Sequence, residues 1–173
     1  MYYGTIKKCD TANGPGVRVS LFVSGCRNHC EGCFQPETWD FKYGQEFTEE
    51  TKENIIKLLK PDYISGFSLL GGEPFEPENQ KILTPLLKEI KTKYPKKTIW
   101  CYTGYTLNNN IKMPEKIETD NTDEMLSYID TLIDGRFEID LKDISLAYRG
   151  SRNQRIIDIQ ESRNRHEIIQ KQL

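Results

Sequence analysis

Three of the chain's five cysteines fall within eight residues, in the stretch Ser24-Gly25-Cys26-Arg27-Asn28-His29-Cys30-Glu31-Gly32-Cys33-Phe34. Thiolates are soft ligands that select zinc, Cu(I) or iron-sulfur clusters, and three on one short loop after an apolar run can converge on a single metal centre. The odd number is informative. A cubane cluster has four irons, so Cys26, Cys30 and Cys33 would hold three of them and leave the fourth to a ligand from outside the protein. An open iron suits chemistry better than simple electron storage.

Other readings compete. Spacings of four and three residues also describe one stripe of a helix carrying small buried side chains. Gly25 and Gly32 bracket the stretch, however, and glycine costs a helix roughly 1 kcal/mol relative to alanine. A structural zinc completed by His29 is a second possibility, although His29 lies directly beside Cys30, a placement the usual zinc spacings avoid. Three thiols cannot pair off, and the N-terminus does not read as a secretory signal, so a disulfide framework is the weakest alternative.

The composition bounds what surrounds this loop. At 173 residues, 36% apolar and 29% charged, the chain predicts one soluble globular domain. No run approaches the ~20 apolar residues of a membrane span, so no membrane association and a cytoplasmic location are expected. With 24 basic against 26 acidic residues the net charge is -2, which gives no global field for nucleic acid. Arg149, Arg152, Arg155, Arg163 and Arg165, facing only Asp158 and Glu161 in sequence, read mostly as a solvated surface segment.

The elements that would position the loop alternate in type. Asn13-Gly14-Pro15-Gly16 marks a turn, and Val17 to Val23 is β-branched and aromatic enough for a buried strand running directly into the cysteines. Thr48 predicts a helix N-cap with Glu49 and Glu50 in the first turn, Ile55, Ile56, Leu58 and Leu59 on the apolar face and Pro61 as the stop. Tyr63 to Leu70 predicts a second strand, leading into Gly71-Gly72-Glu73-Pro74. Helical spacing from Glu78 to Tyr94 is interrupted by Pro85, which predicts either a kink or a start near Pro85 with Thr84 as cap. Thr98 to Tyr102 is a third strand, followed by Thr103-Gly104-Tyr105, and Asn108 to Asn110 is a loop. Thr122 is expected to cap a short helix ending near Tyr128, and Tyr128 to Ile133 to run as a strand into Asp134-Gly135. Arg155 to Ile159 completes the strand candidates. Residues 1–160 read as the domain, and 161–173 as a charged C-terminal helix, frayed, or a disordered tail.

Strands alternating with helices predict an α/β fold with a mainly parallel sheet and right-handed crossovers. Ligands in such sheets gather at the carboxyl ends of the strands, where the cysteine loop, the Gly-Gly-Glu-Pro turn, the Thr-Gly-Tyr turn and Asp134-Gly135 would share one rim. A closed eightfold barrel takes about 250 residues, so the expectation is a partial, open (β/α) barrel whose open side a large partner can reach.

A strand leading into Cys-x3-Cys-x2-Cys and an aromatic, here Cys26, Cys30, Cys33 and Phe34, resembles the signature of the radical S-adenosylmethionine superfamily. Gly71-Gly72-Glu73-Pro74 after the second strand is similar to that superfamily's second motif. Asn13-Gly14-Pro15-Gly16-Val17-Arg18, Gln35-Pro36-Glu37-Thr38-Trp39, Trp100 to Tyr105, Asp134-Gly135-Arg136-Phe137 and Arg149 to Arg155 resemble the branch that activates anaerobic ribonucleoside-triphosphate reductase. The resemblance runs from about Asn13 to about Asp158.

The resemblance implies an enzyme in which Cys26, Cys30 and Cys33 ligate a 4Fe-4S cluster and S-adenosylmethionine chelates the open iron. Gly71, Gly72 and Glu73 would bind the methionyl amino group. Gly32, Cys33 and Phe34 would contact the cofactor through backbone and ring, with Thr103 and Gly104 as weaker candidates. Reductive cleavage of the sulfonium would place a glycyl radical on the reductase, with the electron from a reduced flavodoxin or ferredoxin-type donor. Rival readings are an activase for another glycyl radical enzyme, a small radical enzyme on a nucleobase-like substrate, and a zinc-stapled adaptor without catalysis. His29 and His166 show no partner in the sequence and read as solvated. Cys101 reads as buried packing, and Cys9 carries no assignment. The turn at residues 14–16 and Arg136 are open to a docking role.

Overall fold

The computed structural model describes residues 1–172, so Leu173, the last residue of the expected tail, lies outside the described part. Seven strands form one mixed, open sheet: β1 (Tyr2–Asp10), β2 (Val17–Val23), β3 (Gln45–Glu46), β4 (Ile64–Gly71), β5 (Thr98–Tyr102), β6 (Thr131–Asp134) and β7 (Arg155–Asp158). Their order is β3-β1-β2-β4-β5-β6-β7. The expectation of a mainly parallel sheet holds only at the centre, where β2-β4, β4-β5 and β5-β6 are parallel. The outer pairs β1-β2, β1-β3 and β6-β7 are antiparallel. For β1-β2 the reason is local: the short turn through residues 11–16 can join only antiparallel neighbours, whereas each parallel step needs a crossover. β1 itself was hidden in the sequence, because its polar residues alternate with too few apolar ones to signal a strand.

Four helices, α1 (Glu49–Leu58), α2 (Pro77–Lys93), α3 (Thr122–Tyr128) and α4 (Ile159–Arg165), accompany the sheet. Thr48 caps α1 as expected, in a reciprocal pair of bonds with Thr51: each residue's N–H donates to the other's hydroxyl at 3.3 Å. α2 starts at Pro77 and runs through Pro85 rather than beginning there. Pro85 and Lys81, whose carbonyl loses its partner, are both on the exposed side, so water can replace that hydrogen bond. Thr122 is not the cap of α3: Asn121 holds that position. The Thr122 hydroxyl instead donates to Gln80 at 2.7 Å and accepts the Thr119 N–H at 2.8 Å. No helix of the described residues is long and apolar enough to cross a membrane.

Strand alternation gives the sheet two different faces. Val19, Leu21 and Val23, Phe67 and Leu69, Ile99 and Cys101 pack with Leu83, Leu86, Leu87 and Ile90 of α2 in one core. Each fully buried aliphatic there contributes roughly 1.5–3 kcal/mol. The opposite face carries a smaller cluster of Trp100, Ile133 and Ile156, with Tyr102 and Tyr148 against it. It also carries Arg18, which is fully buried. Arg18 donates to Ser68 Oγ (2.7 Å), Phe67 O (2.8 Å), Thr98 O (2.8 Å) and Oγ1 (3.1 Å), and Pro15 O (3.3 Å), tying the first turn to β4 and β5. Neutral acceptors and the Trp100 ring, 5.7 Å from the guanidinium carbon, take the place of a carboxylate. The stretch after α4 returns to β7, where Asp158 N–H donates to Ile169 O (2.9 Å) and Lys171 N–H to Ile156 O (2.8 Å).

Candidate functional site

The carboxyl ends of β2, β4, β5 and β6 bring the four expected loops to one cavity of about 720 Å³. Cys26, Cys30 and Cys33 line it together with Phe34, Gly71, Gly72, Glu73, Thr103 and Gly104. Gly32 is not in the lining: it is exposed, and a Cβ there would meet Ile139 Cδ1 at 2.8 Å, so its backbone lies close against the loop of residues 135–154. Gly72 needs to be glycine for a similar reason, since a Cβ would meet Gly25 O at 2.7 Å and Thr38 O at 2.9 Å. The missing side chain lets the turn after β4 lie directly against the entry to the cysteine loop.

Cys26 is buried, whereas Cys30 and Cys33 are half-buried. Burial pushes the Cys26 thiol up to about 11, so a metal bound there must displace its proton. Among the described residues no three His, Cys, Asp or Glu side chains are gathered as metal ligands. The three thiols nevertheless line one cavity, and they are its only cysteine or histidine groups. That soft, three-donor set fits an iron-sulfur cluster with one iron left to an outside ligand. His29 lies outside the lining and stacks on Trp39 with ring centroids 4.6 Å apart, while His166 ends α4. Cys9 is exposed on β1, and Cys101 is buried in the helix-side core.

Glu73 knots the rim together. It is fully buried. Its Oε1 accepts the Phe75 N–H (2.9 Å) and the Thr103 hydroxyl (2.8 Å), and its Oε2 accepts the Gly104 N–H (2.8 Å) and the Asn28 amide (3.1 Å). These four donors come from three different rim loops. Burial pushes the carboxyl up to about 7 against the pull of the hydrogen bonds. With about four acceptor positions on a carboxylate, little capacity remains for a further ligand. The backbone carbonyls of Gly71 and Gly72 are thus the freer acceptors on this turn.

The loop of residues 135–154 forms the remaining wall. Phe137 meets Phe34 at 5.1 Å, and Phe34 itself stays 67% exposed. Gln154 accepts the Gly150 and Ser151 N–H groups and donates to Gly135 O, closing the loop on itself. Arg155 is not solvated: it donates to the fully buried Asp134 at 2.9 and 2.5 Å. Asn28, Tyr102 and Tyr148 also line the cavity, none of them assigned a role from the sequence, and so does Arg149, which the sequence placed in a mostly solvated segment. For Tyr102 the signal was present, since alternation from Trp100 sets it on the open face of the sheet.

The comparisons agree with this geometry. A family model described as "4Fe-4S single cluster domain" matches residues 12–157. A relative from Enterobacteria phage T4 is 42% identical over 156 residues, covering 90% of this chain and 93% of its own. Others from Vibrio cholerae and Escherichia coli K12 are 41% and 40% identical, each covering 89% of this chain and 96% of its own. All three are named anaerobic ribonucleoside-triphosphate reductase-activating protein. With a cysteine-lined cavity at the strand ends and this identity along nearly its whole length, the chain belongs to the family of anaerobic ribonucleoside-triphosphate reductase-activating proteins.

Proposed function

We propose that this protein activates anaerobic ribonucleoside-triphosphate reductase by generating a glycyl radical on it, with Cys26, Cys30 and Cys33 holding a 4Fe-4S cluster. The observation that carries the reading is that these three thiols share one cavity with Gly71, Gly72, Glu73 and Thr103. A cluster held by Cys26, Cys30 and Cys33 would supply one-electron reducing chemistry for cleaving the sulfonium of S-adenosylmethionine to methionine, the 5'-deoxyadenosyl group leaving as the radical that would abstract hydrogen from a glycine α carbon.

The chain's own residues bind, orient and shield. Gly71 and Gly72 present backbone carbonyls to the methionyl ammonium, a group with donors only. Glu73 supports them by holding Thr103 and Gly104 in place. Gly32 shapes the backbone beside Cys33, and Phe34 with Phe137 offers an aromatic wall for the adenine. The electron comes from a reduced flavodoxin or ferredoxin-type donor, in the cytoplasm, without nucleic acid or membrane. The parallel centre β2-β4-β5-β6 supports reading residues 1–160 as a partial, open barrel, with 161–173 as a charged C-terminal helix or tail.

The test is to mix the anaerobically reconstituted, reduced protein and S-adenosylmethionine with the reductase and record the electron spin resonance spectrum. A glycyl radical on the reductase is expected. A radical on another glycyl radical enzyme and none on the reductase would overturn the assignment. A colourless protein with zinc and no acid-labile sulfide would overturn the chemistry altogether.

A further inference from the structure

The cysteine loop is held very unevenly. In its first half every residue is tied down. Asn79 Nδ2 donates to Ser24 O (3.0 Å), Glu73 N–H to Gly25 O (2.8 Å), Gly25 N–H to Thr38 O (2.8 Å) and Cys26 N–H to Trp39 O (3.3 Å). Arg27 N–H donates to Glu76 Oε1 at 2.8 Å, and the Asn28 amide reaches Glu73. In the second half, residues 29–34, the hydrogen bonds are Arg136 to His29 O at 3.3 Å and an internal Cys33 N–H to Cys30 O at 3.1 Å. His29 stacks on Trp39, Phe34 meets Phe137 in a tilted contact and lies under Lys142 Nζ at 5.4 Å, and Gly32 lies against Ile139.

Glu76 is central to the held half. It is 1% exposed, just before α2, and a buried carboxylate is costly unless paired. Its carboxylate takes both the backbone N–H and the guanidinium of Arg27, and the Tyr105 hydroxyl approaches Oε1 at 3.4 Å. The Arg27 guanidinium continues outward to Glu78 at 2.6 Å and lies 4.4 Å over the Phe41 ring. One residue adjacent to Cys26 is thereby fixed through main chain and side chain at once.

We infer that Glu76 and Arg27 form a clasp that presets the first cluster ligand, making Glu76 a positioning residue for cluster retention. Cys26 stands ready while Cys30 and Cys33 settle as iron binds. This rests on the reading of the three cysteines as ligands, and it adds a residue outside the Gly-Gly-Glu motif. The clasp acts on the thiol through the backbone, so its signature is the lifetime of the cluster.

The experiment challenges anaerobically reconstituted protein with excess chelator and follows loss of the cluster absorbance, with neither S-adenosylmethionine nor reductase present. Partners that orient metal ligands are worth roughly tenfold to a hundredfold in metal affinity, so Glu76→Ala is expected to lose iron that much faster. Glu76→Gln keeps an oxygen for the Arg27 N–H and is expected between Glu76→Ala and wild type. Arg27→Ala, whose side chain is 53% exposed, removes the cation and is expected to lose iron roughly fivefold faster. Loss from Glu76→Ala within twofold of wild type, or no rescue by Glu76→Gln, overturns the clasp. Should Glu76→Ala not fold, Arg27→Ala decides, and wild-type behaviour there overturns it. Wild-type protein that takes up no iron at all would sink the activase reading instead.

Discussion

Raising the pH from 5 to 8 is expected to weaken the cluster-free fold, and Glu73 is the group responsible. Burial pushes its carboxyl from 4.5 up to about 7, with hydrogen bonds from Phe75, Gly104 and Thr103 opposing and Glu76 adding repulsion. An acid with a higher pKa when folded holds its proton more tightly in the native state. The stability this confers is fully present below pH 4.5 and is lost as the pH rises through about 7. At 1.36 kcal/mol per pH unit, the gap corresponds to on the order of 3 kcal/mol. Asp10, Glu78, Glu89, Asp123, Glu124 and Asp143 are all held below their ordinary values, so they finish titrating under this window. Urea denaturation of iron-free protein, followed by circular dichroism at several pH values from 5 to 8, measures the slope. Glu73→Gln shifts the whole curve but has no carboxyl to titrate, so its profile should be nearly flat. A flat wild-type profile, or a slope retained in Glu73→Gln, refutes the reasoning.

Changing any of Cys26, Cys30 or Cys33 to alanine should abolish S-adenosylmethionine cleavage measured by chromatography of 5'-deoxyadenosine, while Cys9→Ala leaves it intact; full turnover by Cys30→Ala would falsify the ligand assignment. Arg18→Lys should destabilise the fold by about 2 kcal/mol or more in denaturant titration, because a single ammonium cannot reproduce the spread of acceptors that the guanidinium reaches. Thr48→Ala should lower stability by about 1 kcal/mol through loss of the α1 cap, with cluster content unchanged.

The order of rim loops was legible because each follows a strand with a clear apolar signal, as Val17 to Val23 and Thr98 to Tyr102 do. The cavity could therefore be named from its parts. What escaped depends on partners distant in sequence. Nothing local marks Glu76 as the anchor of Arg27, 49 residues away. The loop of residues 135–154 likewise shows its purpose only where Phe137 meets Phe34, and Arg155 looked solvated until Asp134 was found beside it. Pro85 misled because propensity penalises proline in a helix without knowing which side faces water.

β1 carries one more consequence. Past Tyr3 no described strand pairs with its outer side, which leaves a row of main-chain donors and acceptors that a second chain could extend. Lys7 and Lys8 sit along that row, and register shifts interrupt β1 between Tyr3 and Thr5 and between Lys7 and Asp10. Charge and irregularity of this kind discourage edge-to-edge association. The opposite edge, β7, is already covered by the chain's own residues 169–171. Both edges of the sheet are thus guarded against strand addition, one by charge and irregular pairing and the other by the chain itself.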